Sequence, residues 1–278
     1  MPELPEVERG RRVAARVARQ RTIEAVRVHR DPIVFDQVAP RRFRGALRGR
    51  RVLEVRRRGK LLWFELDDRP WPVFHFGMTG AFLAPGTVPL PLSSSRGQPD
   101  CAWPPRYTKL HLRFDDGGEL VMTNARRLGR IRLRNDPVNE PPIANLGFDP
   151  LLDLPSSARV AAILQTRSGV IKSVLMNQSV AAGIGNWIAD EVLYQAGIDP
   201  RRQACTLTGE EVQRLRRKIK SVVQTAVRVD ADKDRFPKSW LFHHRWRKTR
   251  SPECGAAQRV EHITVGGRTT AWVPARQR

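Results

Sequence analysis

The spacing of apolar residues changes partway along this chain of 278 residues, and the change limits the folds it can adopt. From about residue 22 to 134 apolar and polar residues tend to alternate, as in Thr108–Phe114, which is the period of a strand with one buried face. From 156 to 240 apolar residues recur every three or four positions, the period of an amphipathic helix. The pattern predicts an α+β protein in which an antiparallel sheet region precedes a helical region.

Short-range signals place several elements within the first region. Residues 3–19 have the apolar spacing of a short helix, and Asp-Asp-Gly-Gly at 115–118 predicts a turn between two antiparallel strands. Arginine alternates with isoleucine and leucine over 130–134, so one face of the sheet is expected to be basic. Residues 86–105 are rich in proline and serine and are predicted to form an exposed loop.

Prolines accumulate between 135 and 155, which predicts a linker between two domains. After it, Ser157 is expected to cap a helix that continues through Leu164. Thr208 and Glu211 form a capping-box pattern ahead of a long amphipathic helix. The predicted segments are a sheet domain, a linker, a helical domain and a β-type tail, over residues 1–135, 136–155, 156–240 and 241–278.

The chain is strongly basic: 50 lysine and arginine residues against 28 acidic residues give a formal net charge of +22. This excess predicts a polyanionic partner, and on charge alone nucleic acid, an anionic membrane and an acidic protein all remain open. The apolar runs are far shorter than the ~18 residues of a membrane span, and the sequence lacks a basic helix with a large apolar face. Three widely spaced cysteines (Cys101, Cys205 and Cys254) and a polar N-terminus favour a reducing, intracellular compartment.

The first six residues, Met-Pro-Glu-Leu-Pro-Glu, contain a candidate nucleophile. An initiator methionine is normally removed before a small residue, which would leave Pro2 with a free secondary amine. An α-amino group has a pKa of roughly 7.7–8.0 against about 10.4 for lysine, so far more of it is neutral at pH 7 and able to attack an aldehyde-level carbon. Glu3 and Glu6 are near enough in sequence to transfer protons. The alternative is an ordinary helix start, with proline and glutamate in its first turn.

A second pattern is Gly-Ile-Gly-Asn at 183–186, followed by helix-forming residues. The two glycines allow a tight turn, and Asn186 is expected to cap a helix whose buried face is Ile188, Val192 and Ala196. Free backbone amides at a helix start bind phosphate, and the Asn186 side chain adds a donor. The alternative is an ordinary glycine-rich loop.

Two runs of basic residues form the third pattern. Residues 41–60 hold ten arginines or lysines and one acid, Glu54, and a second run contains Arg126, Arg127, Arg130, Arg132 and Arg134. A run of charge is usually a solvated face. Alternation with strand residues instead lines the charges up on one surface, which suits contacts with phosphates.

Together these patterns resemble the formamidopyrimidine-DNA glycosylase and endonuclease VIII superfamily over nearly the whole chain. The matching motifs are the Met-Pro-Glu-Leu-Pro-Glu-Val-Glu start, Arg58-Gly59-Lys60, the His-Phe-Gly-Met-Thr-Gly turn at 75–80, Gly-Ile-Gly-Asn at 183–186 and Ala-Asp-Glu at 189–191. The resemblance implies an N-terminal helix with a two-sheet antiparallel β-sandwich, then a helix–two-turn–helix domain with a C-terminal β-hairpin finger. It places DNA in the cleft between the two domains.

The resemblance also implies roles for particular residues. Pro2 is the nucleophile, Glu3 the proton donor to the deoxyribose ring and Glu6 a pocket carboxylate; Lys60 completes the catalytic set. Lys60, His75, Asn186 and Arg268 hold phosphates around the flipped nucleotide, and Lys172 lies near the lesion. Met78 and Arg126 fill the space that the flipped base leaves in the duplex, with Leu128 as the wedge.

The sequence departs from the family pattern at two places. Leu128 replaces the usual phenylalanine of the wedge, so aromatic stacking on a base is lost. The usual zinc finger needs four cysteines, whereas residues 241–278 contain only Cys254. The tail resembles the zincless finger of plant and fungal members, with Arg268 retained, and the spacing of Cys254 with nearby histidines (His243, His244 and His262) fits no common zinc site. We therefore expect no metal and no cofactor.

The expected function is that of a bifunctional DNA glycosylase and abasic-site lyase of base excision repair that acts as a monomer on double-stranded DNA containing oxidised bases or abasic sites. Its short segment 229–238 has no glycine, which favours formamidopyrimidines and hydantoins over 8-oxoguanine. The expected location is the cytoplasm or nucleoid of a bacterium, or the nucleus of a eukaryote. The rival hypothesis is a non-catalytic DNA- or RNA-binding protein, but such a protein has no use for a free proline amine.

Overall fold

The computed structural model describes residues 2–87, 102–245 and 259–278. The chain forms two compact units, Met1–Asn145 and Leu146–Arg278. The boundary between the two units lies inside the linker that the sequence predicts, residues 136–155. Part of that interval is bound into the second unit, because Phe148 forms a bridge with Ala181 and the N–H of Gly147 donates to the carbonyl of Gln178 at 2.9 Å.

The first unit opens with helix α1, Leu4–Ala18, as the apolar spacing predicts. Leu4, Val7 and Ala14 are buried on one side of it. Among its described residues the same unit continues with eight strands: β1 (Ile23–Val28), β2 (Val52–Arg58), β3 (Leu61–Leu66), β4 (Trp71–His75), β5 (Ala81–Leu83), β6 (Thr108–Phe114), β7 (Glu119–Thr123) and β8 (Arg130–Arg134).

The eight strands form two antiparallel four-stranded sheets, with strand orders β1-β6-β7-β5 and β2-β3-β4-β8. The core includes apolar residues of both sheets and of α1. At its centre Phe64 and Phe74 of the second sheet meet Phe82 of the first, with ring centroids 5.0–5.7 Å apart. Packing of this kind confirms the α+β class and the two-sheet arrangement.

One element in the first unit differs from the sequence expectation. Residues 40–47 lie in the region interpreted as strand, but Pro40–Leu47 is a helix, α2. Pro40 stands in its first turn, where a missing N–H costs nothing, and Phe43 and Leu47 are buried one turn apart. Phe43 packs against Phe35 with ring centroids 5.3 Å apart. Those two apolar residues at a spacing of four were the helical signal.

In the described part of the second unit there are four α-helices: α3 (Ser157–Gln165), α4 (Ile171–Met176), α5 (Asn186–Ala196) and α6 (Gly209–Arg228). The cap of α3 is Ser156 rather than Ser157, because the Ser156 side chain accepts from the N–H of Arg159. The capping box of Thr208 and Glu211 is confirmed at the start of α6. Among the described residues no helix is long and apolar enough to cross a membrane.

The tail of the second unit ends in a β-hairpin of β9 (Glu261–Val265) and β10 (Arg268–Trp272). Ala271 of this hairpin is buried in an apolar cluster with Tyr194 of α5 and with Leu241, Val260 and Val273. The predicted zinc-free character of the finger depends partly on Cys254, which lies outside the described residues, as do residues 88–101 of the predicted loop.

Candidate functional site

The start of α1 holds the candidate nucleophile and its two carboxylates. Pro2 is buried and Glu3, the residue that precedes the helix, is 2% exposed. The carboxylate of Glu6 accepts a hydrogen bond from the N–H of Glu3 at 3.0 Å, which is half of a capping box. The ordinary helix-start interpretation is therefore correct as a description of local structure. The same hydrogen bond fixes the orientation of the peptide next to Pro2.

Glu8, one turn further along α1, joins this helix to the turn that carries Lys60. Its carboxylate accepts hydrogen bonds from Arg11 and from Arg57, both at 3.0 Å, and Arg57 also donates to the carbonyl of Gly59 at 3.0 Å. Burial alone raises the pKa of Glu8, but the guanidinium groups of Arg11 and Arg57 outweigh it and hold that pKa below its usual value. The turn at Gly59 and Lys60 is thus tied to α1.

Lys60, His75 and Arg130 lie together at one end of the second sheet. The residue after Lys60 is opposite His75 in the register of β3 and β4, and His75 is opposite Arg130 in that of β4 and β8. Burial, followed by the positive charges of Lys60, Arg132 and Arg130, lowers the pKa of His75 to about 4. The N–H of Gly77 donates to Nδ1 of His75 at 3.2 Å, so the neutral ring carries its proton on Nε2 and presents a donor.

Asn124 connects the turn that carries Met78 to the loop that carries the predicted wedge. Its Nδ2 donates to the carbonyl of Phe76 at 2.8 Å, and its Oδ1 accepts from the N–H of Gly129 at 3.1 Å. The hydroxyl of Thr79 accepts from the N–H of Arg126 at 3.2 Å. These three hydrogen bonds hold the backbones of the two segments together, so side chains of both segments can lie next to each other.

The close approach of these segments needs a residue without a side chain at Gly77. Its φ is +65°, and a Cβ there would lie 2.3 Å from the carbonyl carbon of Leu128. At this contact Met78 is half-buried, Arg126 is exposed and Leu128 is 44% exposed. The three residues predicted to fill the space beside a flipped base are therefore brought together.

Arg127 lies in the loop that carries Arg126 and Leu128, which we call the wedge loop after their predicted role. A buried carboxylate anchors it. Asp31 is 4% exposed, and its Oδ2 lies 2.9 Å from Nε of Arg127 and 2.9 Å from Nζ of Lys109. Burial raises the pKa of Asp31, but hydrogen bonds from Arg127, Lys109 and the N–H of Val34 outweigh this and lower it to about 2. The backbone of Arg127 has a φ of +56°, so this ion pair holds the loop in a conformation that most residues avoid.

In the second unit Asn186 is not the helix cap that the sequence suggested. The cap is Gly185, and Asn186 is the first residue of α5. Its Nδ2 donates to the carbonyl of Thr269 in β10 at 2.9 Å, so it links the helix start to the hairpin. The predicted face of α5 is buried, although burial extends to nearly the whole helix.

Lys172 is placed differently from its expected role. The resemblance locates it near the lesion, but its side chain is 0% exposed and forms an ion pair with Asp190 at 2.7 Å. It also donates to the hydroxyl of Thr270 at 2.5 Å, and Arg245 approaches the other oxygen of Asp190 at 2.6 Å. The structure therefore gives Lys172 a role in attaching the hairpin rather than the open position that contact with a base requires.

Arg268 is exposed and begins β10, directly after the turn at Gly266 and Gly267. Gly266 has a φ of +57°, and a Cβ there would lie 2.1 Å from the hydroxyl oxygen of Ser173 in α4. The turn therefore rests directly on α4, and together with the Asn186 contact this packing sets the position of Arg268.

Sequence models of two domains match the chain: the formamidopyrimidine-DNA glycosylase N-terminal domain over residues 1–131 and the formamidopyrimidine-DNA glycosylase H2TH domain over 146–238. The chain belongs to the formamidopyrimidine-DNA glycosylase family. Membership places it among the DNA glycosylases of base excision repair, which are enzymes with abasic-site lyase activity, rather than among non-catalytic nucleic-acid-binding proteins.

Individual relatives agree with this family assignment. The chain is 40% identical to a formamidopyrimidine-DNA glycosylase of Arabidopsis thaliana over 100% of its own length and 71% of the relative's. It is 32% identical to that of Gluconobacter oxydans over 100% of both chains. The solved structure of Lactococcus lactis formamidopyrimidine-DNA glycosylase with abasic-site DNA superposes with a TM-score of 0.79 at 24% identity, over 99% of each chain, which supports the fold.

The sequence analysis assigned no anchoring role to several residues that have one in this glycosylase: Glu8, Asp31, Arg57, Asn124 and Asp190. Glu8 gave a usable signal, because Arg9, Arg11 and Arg12 follow it directly, and Asp31 gave a weaker one, because Arg27 and Arg30 precede it. In a chain of net charge +22 such an acid is a natural internal partner. Asn124 gave no comparable signal, since its side chain bonds to backbone atoms, and the carbonyl of Phe76 is far away in the sequence.

The ion pair of Asp31 predicts a pH-dependent contribution to stability. A carboxyl whose pKa is about 2 when folded, against 3.8 as its usual value, stabilises the folded state above about pH 4 and loses that effect as the pH falls towards 2. We expect Asp31→Asn to lower the free energy of unfolding by about 2 kcal/mol at pH 7, and by much less near pH 2. Urea unfolding of both proteins over this pH range measures the difference.

Asp36→Asn is the matched control for this experiment. Asp36 forms a more exposed ion pair with Arg132, at 2.7 Å, so its loss should cost less than ~1 kcal/mol. An Asp31→Asn protein as stable as wild type at pH 7, or one whose deficit is the same at pH 7 and near pH 2, contradicts the anchoring role.

Proposed function

We propose that this glycosylase removes oxidised bases through a Schiff base at Pro2 and then cleaves the strand by β- and δ-elimination. The observation that carries the proposal is the arrangement at the start of α1. Pro2 and Glu3 are buried at a capped helix start, and the Glu8–Arg57 pair ties this helix to the turn bearing Lys60. A nucleophile, an acid and a cation for the adjacent phosphate are thereby supplied by one rigid unit.

The chemistry needs no cofactor. The nitrogen lone pair of Pro2 forms a bond to C1′ of the deoxyribose, and the bond from C1′ to the base breaks, so that the base leaves with that electron pair and a proton. Glu3 donates a proton to the ring oxygen, which opens the sugar and leaves an iminium ion. Loss of the C2′ proton to solvent then forms the C2′–C3′ double bond and expels the 3′ phosphate. Loss of the C4′ proton in a second elimination expels the 5′ phosphate, and water hydrolyses the iminium ion to free Pro2.

The proposed phosphate contacts come from both units: Lys60 and His75 from the first, Asn186 and Arg268 from the second. Their chemistry differs. Lys60 is a cation, whereas His75 is neutral at physiological pH and acts as a hydrogen-bond donor only. Asn186 uses one amide hydrogen on Thr269 and has a second for a phosphate oxygen.

Met78, Arg126 and Leu128 are proposed to occupy the duplex where the base has been flipped out. Asn124 holds together the two segments that carry them, and Arg126 and Leu128 are exposed; both observations support this role. Flipping a base costs a few kcal/mol, which contacts inside the duplex offset. Leu128 can wedge between bases but offers no ring for stacking, so we expect the opposite base to be recognised mainly through Arg126.

We further propose that the finger is zincless and that the enzyme acts as a monomer inside the cell, in the nucleoid of a bacterium or the nucleus of a eukaryote. The cysteine count does not suit a four-cysteine site, since Cys254 is the only cysteine in residues 241–278. The described hairpin is instead attached through Asp190, Lys172 and an apolar cluster.

Sodium borohydride is expected to trap the enzyme covalently on abasic-site DNA through Pro2, because it reduces the iminium ion to a stable amine. Inserting one alanine before Pro2 turns the proline nitrogen into an amide and should abolish trapping through that residue. Pro5→Ala leaves the N-terminal amine in place and serves as the control. Peptide mapping of the trapped species and mass spectrometry of the mature N-terminus identify the attached residue; retention of Met1 in the active enzyme would falsify the mechanism.

The phosphate set predicts two different responses to salt. Lys60→Ala should weaken binding to DNA containing an abasic-site analogue and reduce the slope of log K against log salt by about 0.9, because one counterion-releasing contact is lost. His75→Ala should weaken binding at pH 7 with an unchanged slope, because its ring carries no charge there. Titration by fluorescence anisotropy at several salt concentrations separates the two. Equal losses of slope in both variants are inconsistent with a neutral His75.

Substrate preference follows from the segment after α6. That helix ends at Arg228, and the chain then packs down on its own unit: Ala231 and Phe236 are buried, and Phe236 and Trp240 contact the ring of Trp187 with centroids 5.5 and 6.5 Å apart. A segment anchored in this way is poorly placed to close over a flipped purine. Discrimination through hydrogen bonds to an intact 8-oxoguanine should therefore be weak.

We expect formamidopyrimidines and hydantoins, which depend less on such a loop, to be removed faster than 8-oxoguanine. Single-turnover cleavage of otherwise identical duplexes, with 8-oxoguanine or a hydantoin opposite cytosine, tests this order. An abasic-site duplex measured alongside isolates the lyase step. Equal rates of base removal from the two lesions count against the loop argument while leaving the Pro2 mechanism intact.

A further inference from the structure

Helix α2 presents a dense row of positive charge to solvent. Phe43 and Leu47 face inward, and the exposed positions of α2 and of its C-terminal cap are occupied by arginine and Gly45. We name the four arginines (Arg41, Arg42, Arg44 and Arg48) the α2 arginine surface.

The α2 arginine surface has no internal partner among the described residues, whereas several arginines on α1 and α6 do. Arg11 of α1 bonds to Glu8, and Arg214 and Arg216 of α6 donate to the carbonyls of Ala196 and Pro155. Within residues 2–87, 102–245 and 259–278, the α2 arginine surface forms no ion pair or side-chain hydrogen bond. Folding of the described chain therefore makes no use of these four guanidinium groups.

Their spacing also has an unfavourable effect on the isolated helix. Arg41 and Arg44 are three residues apart, and Arg44 and Arg48 are four apart, so like charges lie side by side. Each such pair destabilises a helix by about 0.2–0.5 kcal/mol. A bound anion would offset this repulsion and stabilise the helix.

The composition of the surface selects the kind of anion. A protein interface has a central apolar or aromatic patch, and a membrane-bound helix has an apolar face, but the exposed positions of α2 offer neither. Guanidinium groups bind phosphate oxygens in pairs of hydrogen bonds. The α2 arginine surface is therefore best matched to a nucleic-acid backbone.

The α2 arginine surface is continuous with the sheet that carries His75. Arg42 lines an open cavity of about 520 Å³ together with Arg132 and Arg134 of β8, and β8 begins at Arg130, opposite His75. Asp36 partly neutralises the positive charge of Arg132, and Arg42 adds positive charge at this part of strand β8. From Arg130 to Arg134 the strand spans about 13 Å, so a row of basic residues leads from His75 towards α2.

We propose that the α2 arginine surface binds the phosphate backbone of duplex DNA outside the contacts made to the lesion. This proposal rests on the proposed function because it takes DNA as the polyanion. It concerns binding to undamaged duplex DNA, not the chemistry at the lesion. Residues 41–48 span about 10 Å of helix axis, and phosphates of one strand are spaced about 3.4 Å along the duplex, so the surface can reach two or three of them. Such contacts increase the time that the enzyme spends on undamaged DNA.

The test is a triple variant, Arg41→Gln, Arg44→Gln and Arg48→Gln, titrated against undamaged duplex DNA over a series of KCl concentrations. The matched control removes the same number of charges from exposed positions of α6: Arg217→Gln, Lys220→Gln and Arg228→Gln. We expect the α2 variant to reduce the slope of log K against log salt by about 2, and the control to change it by less than half as much. Circular dichroism and urea unfolding verify that both variants are folded.

Base removal from a hydantoin duplex at saturating enzyme should remain at the wild-type rate in the α2 variant. An unchanged salt slope, or equal losses in the two variants, overturns the proposal. Loss of binding to anionic phospholipid vesicles without loss of duplex binding also overturns it, in favour of a membrane. A failure of the proposed function would be seen in a different experiment, since borohydride would then not trap the wild-type enzyme on abasic-site DNA.

Discussion

The ion pair between Glu8 and Arg57 connects the parts of the first unit on which the proposed chemistry depends. Both partners are buried, with 1% of the Arg57 side chain and 9% of the Glu8 side chain exposed, so salt screens their attraction only weakly. Through this pair the helix that begins after Pro2 and Glu3 is held to the Gly59 carbonyl, next to Lys60. The distance between Pro2 and Lys60, the proposed nucleophile and the proposed phosphate-binding cation, is thereby determined by a contact remote from both groups.

Buried acids paired with arginine or lysine occur at two further places in this basic chain. Asp31 anchors the wedge loop through Arg127, and Asp190 anchors the C-terminal hairpin through Lys172 and Arg245. Each buried acid binds two or more cations, which satisfies its charge and lowers the cost of burial. The chain has 28 acidic residues for 50 basic ones, so acids used as internal anchors cannot neutralise most of its arginines and lysines. The positive field that draws a polyanion is therefore a direct consequence of how the few acids are used.

Sequence periodicity predicted the strands and the long helices well, because apolar spacing reports directly which side of an element is buried. It failed where the signal was short. Helix α2 is eight residues long and has only Phe43 and Leu47 to mark its period, so the surrounding strand pattern obscured it. The caps at Ser156 and Gly185 were each displaced by one residue, since adjacent polar or glycine residues offer similar capping chemistry and local geometry decides between them.

The sequence by itself determined the family, the candidate nucleophile and the residue types of the site, because these depend on chemical groups in a fixed order along the chain. Only the tertiary structure decided what those groups do in place. It made His75 a neutral donor by burying it beside three cations, and it withdrew Lys172 from solvent to pair with Asp190. Burial and the proximity of residues far apart in the chain set these properties, and neither can be read from spacing alone.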